Sequence, residues 1–297
     1  MIWLIGRSGM LGRLVEQELR AHNLECAASG PELDITQPDS IEHFAPKRKP
    51  RWVINCSGYT AVDSAESEVD QAWAVNRDGP ALLARYCRER GARLLHISTD
   101  YVFDGSLPDG YGEDAETSPI NVYGASKAGG EEVVRAELPE HAIVRTAWLF
   151  AEHGRNFVLT MLRLLKTRGE LTVVDDQHGS PTYGRDLARA IVLVVTASRP
   201  VYGTFHFTNS GVTTWHGFAS AIRDRAVDLG LIPKSRRIVR VPSDQFPTAA
   251  ERPSYSVLTC GRMISAYGFE PRPWEEALDD CLQRIASEHQ ARTFTLV

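Results

Sequence analysis

The apolar run Ile2–Ile5 passes straight into Gly6-Arg7-Ser8-Gly9-Met10-Leu11-Gly12, and the amphipathic stretch Met10–Ala21 begins inside that loop. A buried strand that turns at once into a helix restricts the chain to a small set of layered α/β folds. The alternation continues. Trp52–Cys56, Arg93–Ser98 and Ala142–Leu149 read as strands, and Glu66–Arg90 and Gly124–Leu138 read as helices between them. The strand segments are apolar throughout rather than alternating, the pattern of a parallel sheet covered on both faces. Right-handed crossovers between successive parallel strands then make a doubly wound, Rossmann-type sheet the expected arrangement.

After about residue 150 the rhythm changes. Asn156–Thr167 predicts a helix, Leu171–Asp175 a short strand and Gly184–Ser198 a long apolar helix, while Gly203–Thr208 can add a strand to the main sheet. Pro233, Pro242, Pro247, Pro253, Pro271 and Pro273 break the tail into short elements before a last helix from about Trp274. The expectation is a dinucleotide-binding domain of residues 1–150 plus about 185–210. A smaller, irregular α+β substrate lobe of about 151–184 and 211–297 would lie over the carboxyl edge of the sheet.

Composition narrows the partners. Of the 297 residues 43% are apolar and 24% charged, which fits a globular chain rather than a disordered one. Lys plus Arg total 33 against 38 for Asp plus Glu, a net charge of −5, so no nucleic-acid partner is expected. A small anion can still be held locally by backbone amides. Cys26, Cys56, Cys87, Cys260 and Cys281 are dispersed without metal-type spacing and read as reduced thiols. The longest apolar run, Ala190–Ala197, is too short for a bilayer, and Met1–Ile5 leads into glycines rather than a cleavable apolar region. A cytoplasmic protein with no membrane association is expected.

Three motifs carry the chemistry. In the Gly6–Gly12 loop, glycines permit a tight turn and close approach of backbone amides to a pyrophosphate, and the helix that follows presents its positive end. The spacing is G-x-x-G-x-x-G, and the alternative reading is an ordinary strand-to-helix turn. No acidic ribose reader is evident in Ala27-Ala28-Ser29-Gly30; Glu32 and Asp34 follow Pro31. That favours NADPH, with NADH tolerated, and Arg7 lies either beside a 2′-phosphate or simply in solvent.

The second motif is Tyr123-Gly124-Ala125-Ser126-Lys127. Four residues apart on a helix, the phenol and the ammonium share a face. A cation ~5 Å away at an effective dielectric of ~20 is worth about 3 kcal/mol, which would draw the phenol down by roughly two pK units. An ordinary surface Tyr–Lys pair is the alternative. The third motif is the apolar strand Arg93–Ser98 running into Thr99-Asp100-Tyr101 at a carboxyl end, where open α/β sheets bind ligands. Thr99 is placed to meet a carbonyl or merely to cap the strand end, and His96 reads as a satisfied core histidine.

These residues resemble the extended short-chain dehydrogenase/reductases and, within them, the dTDP-4-dehydrorhamnose reductase family. The likeness runs through Asn55–Asp63, Glu66-Ser67-Glu68, Ala74–Gly79, the stretch Thr99-Asp100-Tyr101-Val102-Phe103-Asp104-Gly105, Arg145–Trp148, Asn156-Phe157, Val174–Gln177, Gly179–Thr182 and Arg252-Pro253. Similar nucleotide-sugar dehydratases carry Asp-Glu after the threonine; Asp100-Tyr101 here lacks the second carboxylate, which disfavours elimination and favours carbonyl reduction.

The resemblance implies Thr99, Tyr123 and Lys127 as catalytic residues. Tyr123 would donate the proton, Lys127 would tune it and hold the nicotinamide ribose, and Thr99 would steady the carbonyl. It implies Gly6, Gly9, Met10, Leu11 and Gly12 at the pyrophosphate, Asp34 and Ile35 at the adenine, and Ser57, Gly58 and Tyr59 along the cofactor. Thr60, Val62, Asp100, Tyr101 and Trp148 would line the sugar pocket, although Trp148 also suits a core position. The implied reaction is NAD(P)H-dependent reduction of the C4 ketone of a dTDP-linked 4-keto-6-deoxy sugar. Another nucleotide-sugar reductase or epimerase, or a non-catalytic regulatory subunit, are the competing readings. Some members of the family are dimers joined through glutamates and Mg2+. Those positions are not matched in this chain, so no metal ligand is carried over and a homodimer is left open. Met10 stands where the family often has glutamine, and Ser57-Gly58 where it has an alanine-rich pair.

Overall fold

Each apolar run splits its side chains between two cores. In β1 (Ile2–Ile5), Ile2 and Leu4 enter one cluster while Trp3 and Ile5 enter another, the two-residue period of a strand covered on both faces. Trp3 and Leu4 have no exposed surface, and burying one such side chain is worth about 1.5–3 kcal/mol. The computed structural model describes residues 1–294.

The chain continues with α1 (Met10–Ala21), β2 (Cys26–Ser29), α2 (Pro38–Phe44), β3 (Trp52–Asn55), α3 (Val62–Ala65), α4 (Val69–Trp73) and α5 (Gly79–Arg90). Next come β4 (Arg93–Thr99), α6 (Val122–Glu137), β5 (His141–Thr146), β6 (Leu149–Phe150), α7 (Phe157–Thr167), β7 (Glu170–Val174), β8 (His178–Gly179) and β9 (Thr182–Tyr183). The remainder is α8 (Gly184–Thr196), β10 (Gly203–His206), β11 (Thr213–Thr214), α9 (Trp215–Asp228), β12 (Arg237–Val241), α10 (Gly261–Tyr267) and α11 (Trp274–Phe294). The six-stranded sheet runs β10-β5-β4-β3-β1-β2 with every pair parallel, which is the doubly wound arrangement. Leu14 of α1 and Ile191 of α8 cover one face; Leu83 of α5 and Val134 of α6 cover the other. A separate cluster gathers Phe150, Leu162, Phe218, Trp274 and Leu278 from the elements after residue 148. No described helix is long and apolar enough to cross a membrane.

Two expected elements break where the site needs them to. Glu66–Arg90 is not one helix. Between α4 and α5, Ala74–Asp78 forms a π turn, and Pro80 supplies the cause. Proline has no N–H, and its ring would crowd the carbonyl four residues back, which is Asn76. The strand predicted over Ala142–Leu149 stops at Thr146, because Trp148 takes φ +46, a left-handed conformation rare for a bulky residue. The chain turns there, and β6 pairs with β9 outside the main sheet.

Candidate active site

The strand order places a switch point between β1 and β3, where successive connections leave in opposite directions and a crevice opens at the carboxyl ends. The loops after β1 and β3 meet there. Gly6 has φ +84, and a Cβ on it would lie 2.7 Å from the Ser57 nitrogen; a Cβ on Gly12 would lie 2.1 Å from the Gly6 carbonyl oxygen. Gly9 begins α1 with no side-chain cap and no acid in the first turn, so the unpaired N–H groups face the crevice loop without competition. That cradle fits a pyrophosphate. Leu11 is buried in the core, and Met10 Sδ accepts from Asn156 Nδ2 at 3.6 Å, so both have only main chain to offer an anion.

At the end of β2 the structure corrects the sequence reading. A carboxylate does stand there: Glu32 accepts the Gly30 N–H at 2.6 Å, and that bond, with Arg7 nearby, holds its carboxyl below the ordinary range. Arg7 is exposed, with Nη1 3.5 Å from the Ala28 carbonyl. Asp34 closes a turn on itself, accepting from the Thr36 N–H and hydroxyl at 2.9 and 2.7 Å. The Ile35 side chain is core, packed so closely under Gly79 that a Cβ there would sit 2.6 Å from its Cδ1.

After β3, Asn76 in the π turn clamps Tyr59 at both ends of its peptide, accepting from its N–H at 2.9 Å and donating to its carbonyl at 3.0 Å. This fixes Ser57-Gly58-Tyr59 along the crevice, with Gly58 facing Lys127 Nζ at 4.0 Å from a Cβ position. Thr60 is exposed and Val62 half-buried at the start of α3. Asp63 beside them holds Arg252 through both oxygens, at 3.0 and 2.8 Å, and so ties the distant Arg252-Pro253 segment to the crevice lip.

Thr99, Asp100, Tyr101, Tyr123 and Lys127 converge between the end of β4 and the start of α6. Gly124 allows this: a Cβ there would meet the Tyr101 carbonyl oxygen at 2.0 Å. Asn121 caps α6 by accepting from the Gly124 N–H at 2.7 Å. Thr99 accepts from the Tyr101 N–H at 3.2 Å and donates to Asp100 Oδ1 at 2.9 Å, so it does cap the strand end. Asp100 is buried and also accepts from Ser256 at 2.6 Å; burial nonetheless raises its pKa to about 6. The rings of Tyr101 and Tyr123 meet edge to face, 5.8 Å apart at 75°.

The Tyr–Lys pair departs from expectation. Tyr123 and Lys127 do lie one helical turn apart, but the lysine does not draw the phenol down. Burial pushes Tyr123 up to about 12, against a lowering by Thr99. Lys127 Nζ turns instead toward β4, donating to the Ile97 carbonyl at 2.6 Å with His96 Nε2 at 3.4 Å. Burial takes the ammonium down to about 8, opposed by Glu131 and Cys56.

Asp100 also predicts a pH effect on stability. Its folded pKa of about 6 lies above the ordinary aspartate range, so its contribution to stability is full below about 4 and is lost as pH rises through 6. Asp100→Asn, which mimics the protonated acid, is therefore expected to raise Tm at pH 7 by an amount that shrinks toward pH 4.5, read by thermal melts at both values. An equal change in Tm at both would show that Asp100 is not the titrating group.

Trp148 is held by packing at the edge of the separate cluster that holds Phe218. It is half-buried, stacks on Trp215 at 3.6 Å and 8°, and lies so close beneath Gly179 that a Cβ there would touch its indole at 2.5 Å. Trp215 and Ser256 lie outside every stretch the sequence singles out, and Asn76 lies within Ala74–Gly79 without a role that the sequence assigns. The proline four residues beyond Asn76 was the one available sign of its unusual turn; nothing local marked the other two. Among the described residues no group of three or more His, Cys, Asp or Glu is placed to hold a metal.

A glycine-cradled switch point beside a Thr–Tyr–Lys cluster defines a Rossmann-type protein of the extended short-chain dehydrogenase/reductase kind. Residues 1–287 match the family of the RmlD substrate binding domain, and the chain belongs to that family. It is 43% identical to a dTDP-4-dehydrorhamnose reductase of Streptomyces griseus, over 94% of this chain and 92% of the relative. It is 41% identical to a dTDP-4-keto-6-deoxy-D-glucose reductase of Streptomyces niveus, over 93% and 94%. The crystal structure of dTDP-4-dehydrorhamnose reductase from Bacillus anthracis in complex with NADP superposes with a TM-score of 0.88 at 38% identity, covering 95% of this chain and 98% of that one.

Proposed function

We propose that the chain reduces the C4 ketone of dTDP-4-dehydro-L-rhamnose to the alcohol of dTDP-L-rhamnose, with NADPH preferred and NADH accepted. The observation that carries this is the convergence of Thr99, Tyr123 and Lys127 beside the Gly6–Gly12 cradle, in a chain whose relatives are named for that reduction. When bound, the reduced nicotinamide supplies a hydride, which becomes the new C–H bond at C4. Tyr123, protonated across the neutral range, gives its Oη proton to the carbonyl oxygen as that oxygen gains charge. Thr99 steadies the same oxygen by turning its single proton away from Asp100. Lys127 holds the nicotinamide ribose, and Ser57, Gly58 and Tyr59 line the cofactor's path. Arg7 suits a 2′-phosphate and Glu32 a free ribose hydroxyl, which supports use of both coenzymes. Thr60, Val62, Asp100, Tyr101 and Trp148 form the sugar side. The two-lobe division, 1–150 with about 185–210 against the rest, follows from that reading, and the setting is a cytoplasmic one.

The test follows reduced-nicotinamide absorbance on adding dTDP-4-dehydro-L-rhamnose, dTDP-4-keto-6-deoxy-D-glucose, and UDP- and GDP-linked ketones. NADPH oxidation is expected with the L-sugar, at a kcat/KM well above that of the others. The Streptomyces niveus relative makes the D-sugar the informative rival: preference for it would reassign the substrate, and no oxidation with any ketone would favour a regulatory role.

A further inference from the structure

His96, which the proposed mechanism leaves idle, is joined to the site by an unbroken buried chain of hydrogen bonds. The ring has no exposed surface. Its Nδ1 lies 3.1 Å from Asn55 Nδ2 on β3, and its Nε2 lies 3.4 Å from Lys127 Nζ on α6. Burial, with Lys127 and His141 adding to it, keeps the imidazole far below its ordinary pKa, so the ring is neutral and carries one proton. Which nitrogen carries it is decided two steps away. The Ser57 N–H and hydroxyl both donate to Asn55 Oδ1, at 3.0 and 2.5 Å. A backbone N–H can only donate, so the Asn55 amide cannot be turned around, and its NH2 must face His96. Nδ1 therefore accepts, and the proton sits on Nε2, pointing at Lys127.

We propose that His96 is a positioning residue for Lys127: fixed by Asn55 as the Nε2–H tautomer, it donates to Nζ and biases that nitrogen toward the neutral amine. An ammonium has three N–H groups and no lone pair, so one would confront the imidazole N–H. An amine spends one N–H on the Ile97 carbonyl, accepts from His96, and keeps the other N–H for the crevice. The other ionisable groups bearing on Nζ are Glu131 on its own helix and Cys56 beyond β3, and both favour the ammonium; His141 on β5 acts on His96. Glu131 is shared with Arg145, whose Nη2 donates to it at 2.6 Å; burial opposes the charge on Nζ, and an N–H on the facing Nε2 of His96 adds to that opposition. The role of Lys127 rests on the function proposed above; the tautomer does not.

Two measurements on the full chain test this. Nitrogen-15 NMR of histidine-labelled protein reads the tautomer directly and is expected to show His96, identified by its loss in His96→Gln, protonated on Nε2. NADPH affinity across pH, from nicotinamide fluorescence, is expected to fall as Lys127 loses its proton. In His96→Gln, whose side-chain carbonyl reaches the position of Nε2 and can accept from an ammonium, that fall is expected to move up by about one pH unit, a tenfold change in proton affinity. Asn55→Asp, which accepts from Nδ1–H, is expected to switch the tautomer and shift the fall the same way. A wild-type ring protonated on Nδ1 would overturn the proposal, as would a pH profile that stays fixed while only Tm drops. A chain that binds no NADPH at any pH would refute the function, and the NMR measurement would still decide the tautomer.

Discussion

Tyr123→Phe is expected to lower kcat by about 10²–10⁴-fold, the usual worth of a positioned general acid, while leaving NADPH affinity nearly unchanged. The ring keeps its edge-to-face packing on Tyr101, and the phenol caps no helix and closes no ion pair, so the proton and the hydroxyl's contact with Thr99 are what is removed. A phenol held up at about 12 is a weak acid toward water, yet the alkoxide forming at C4 is a much stronger base and takes the proton downhill. Single-turnover reduction with saturating NADPH, beside a binding titration, separates the two effects. Turnover close to that of the unaltered protein would mean that Lys127 or water supplies the proton.

Gly12→Ala is expected to weaken NADPH binding by at least about 100-fold, near 3 kcal/mol, and to lower Tm as well. The new methyl would sit 2.1 Å from the Gly6 carbonyl oxygen and 3.0 Å from Arg7 Cα, all of it backbone with no flexible end to yield. Relief requires α1 to back away from the loop, at an overpacking cost of about 1–3 kcal/mol, and the amides that form the pyrophosphate cradle leave with it. Fluorescence titration and thermal melts measure the two losses. An affinity that survives the substitution would place the coenzyme elsewhere.

Much of the fold was legible because its determinants are local. The unbroken apolar run Ile2–Ile5 specified a strand buried on both faces, and glycines at positions 6, 9 and 12 specified the turn that feeds α1. The helix over Met10–Ala21 and the strand that begins at Gly203 followed from the same patterns. Glu66–Arg90 and Ala142–Leu149 were misjudged because hydrophobic periodicity reports which face is buried. It does not report a π turn forced by Pro80, or a left-handed Trp148 that diverts the chain.

At the site, the sequence determined which chemical groups are present: a phenol and an amine one helical turn apart, a threonine at a strand end, and a glycine loop ahead of a helix. Tertiary structure alone decided what each group touches. Lys127 and His96 are 31 residues apart, His96 and Asn55 are 41, and Asp100 meets Ser256 across 156. Pairings over such separations depend on strand order and on how closely helices approach, which no window of sequence contains. The electrostatics follow the pairings: burial and partner choice, rather than spacing along a helix, turned Lys127 toward β4 and left Tyr123 a protonated phenol.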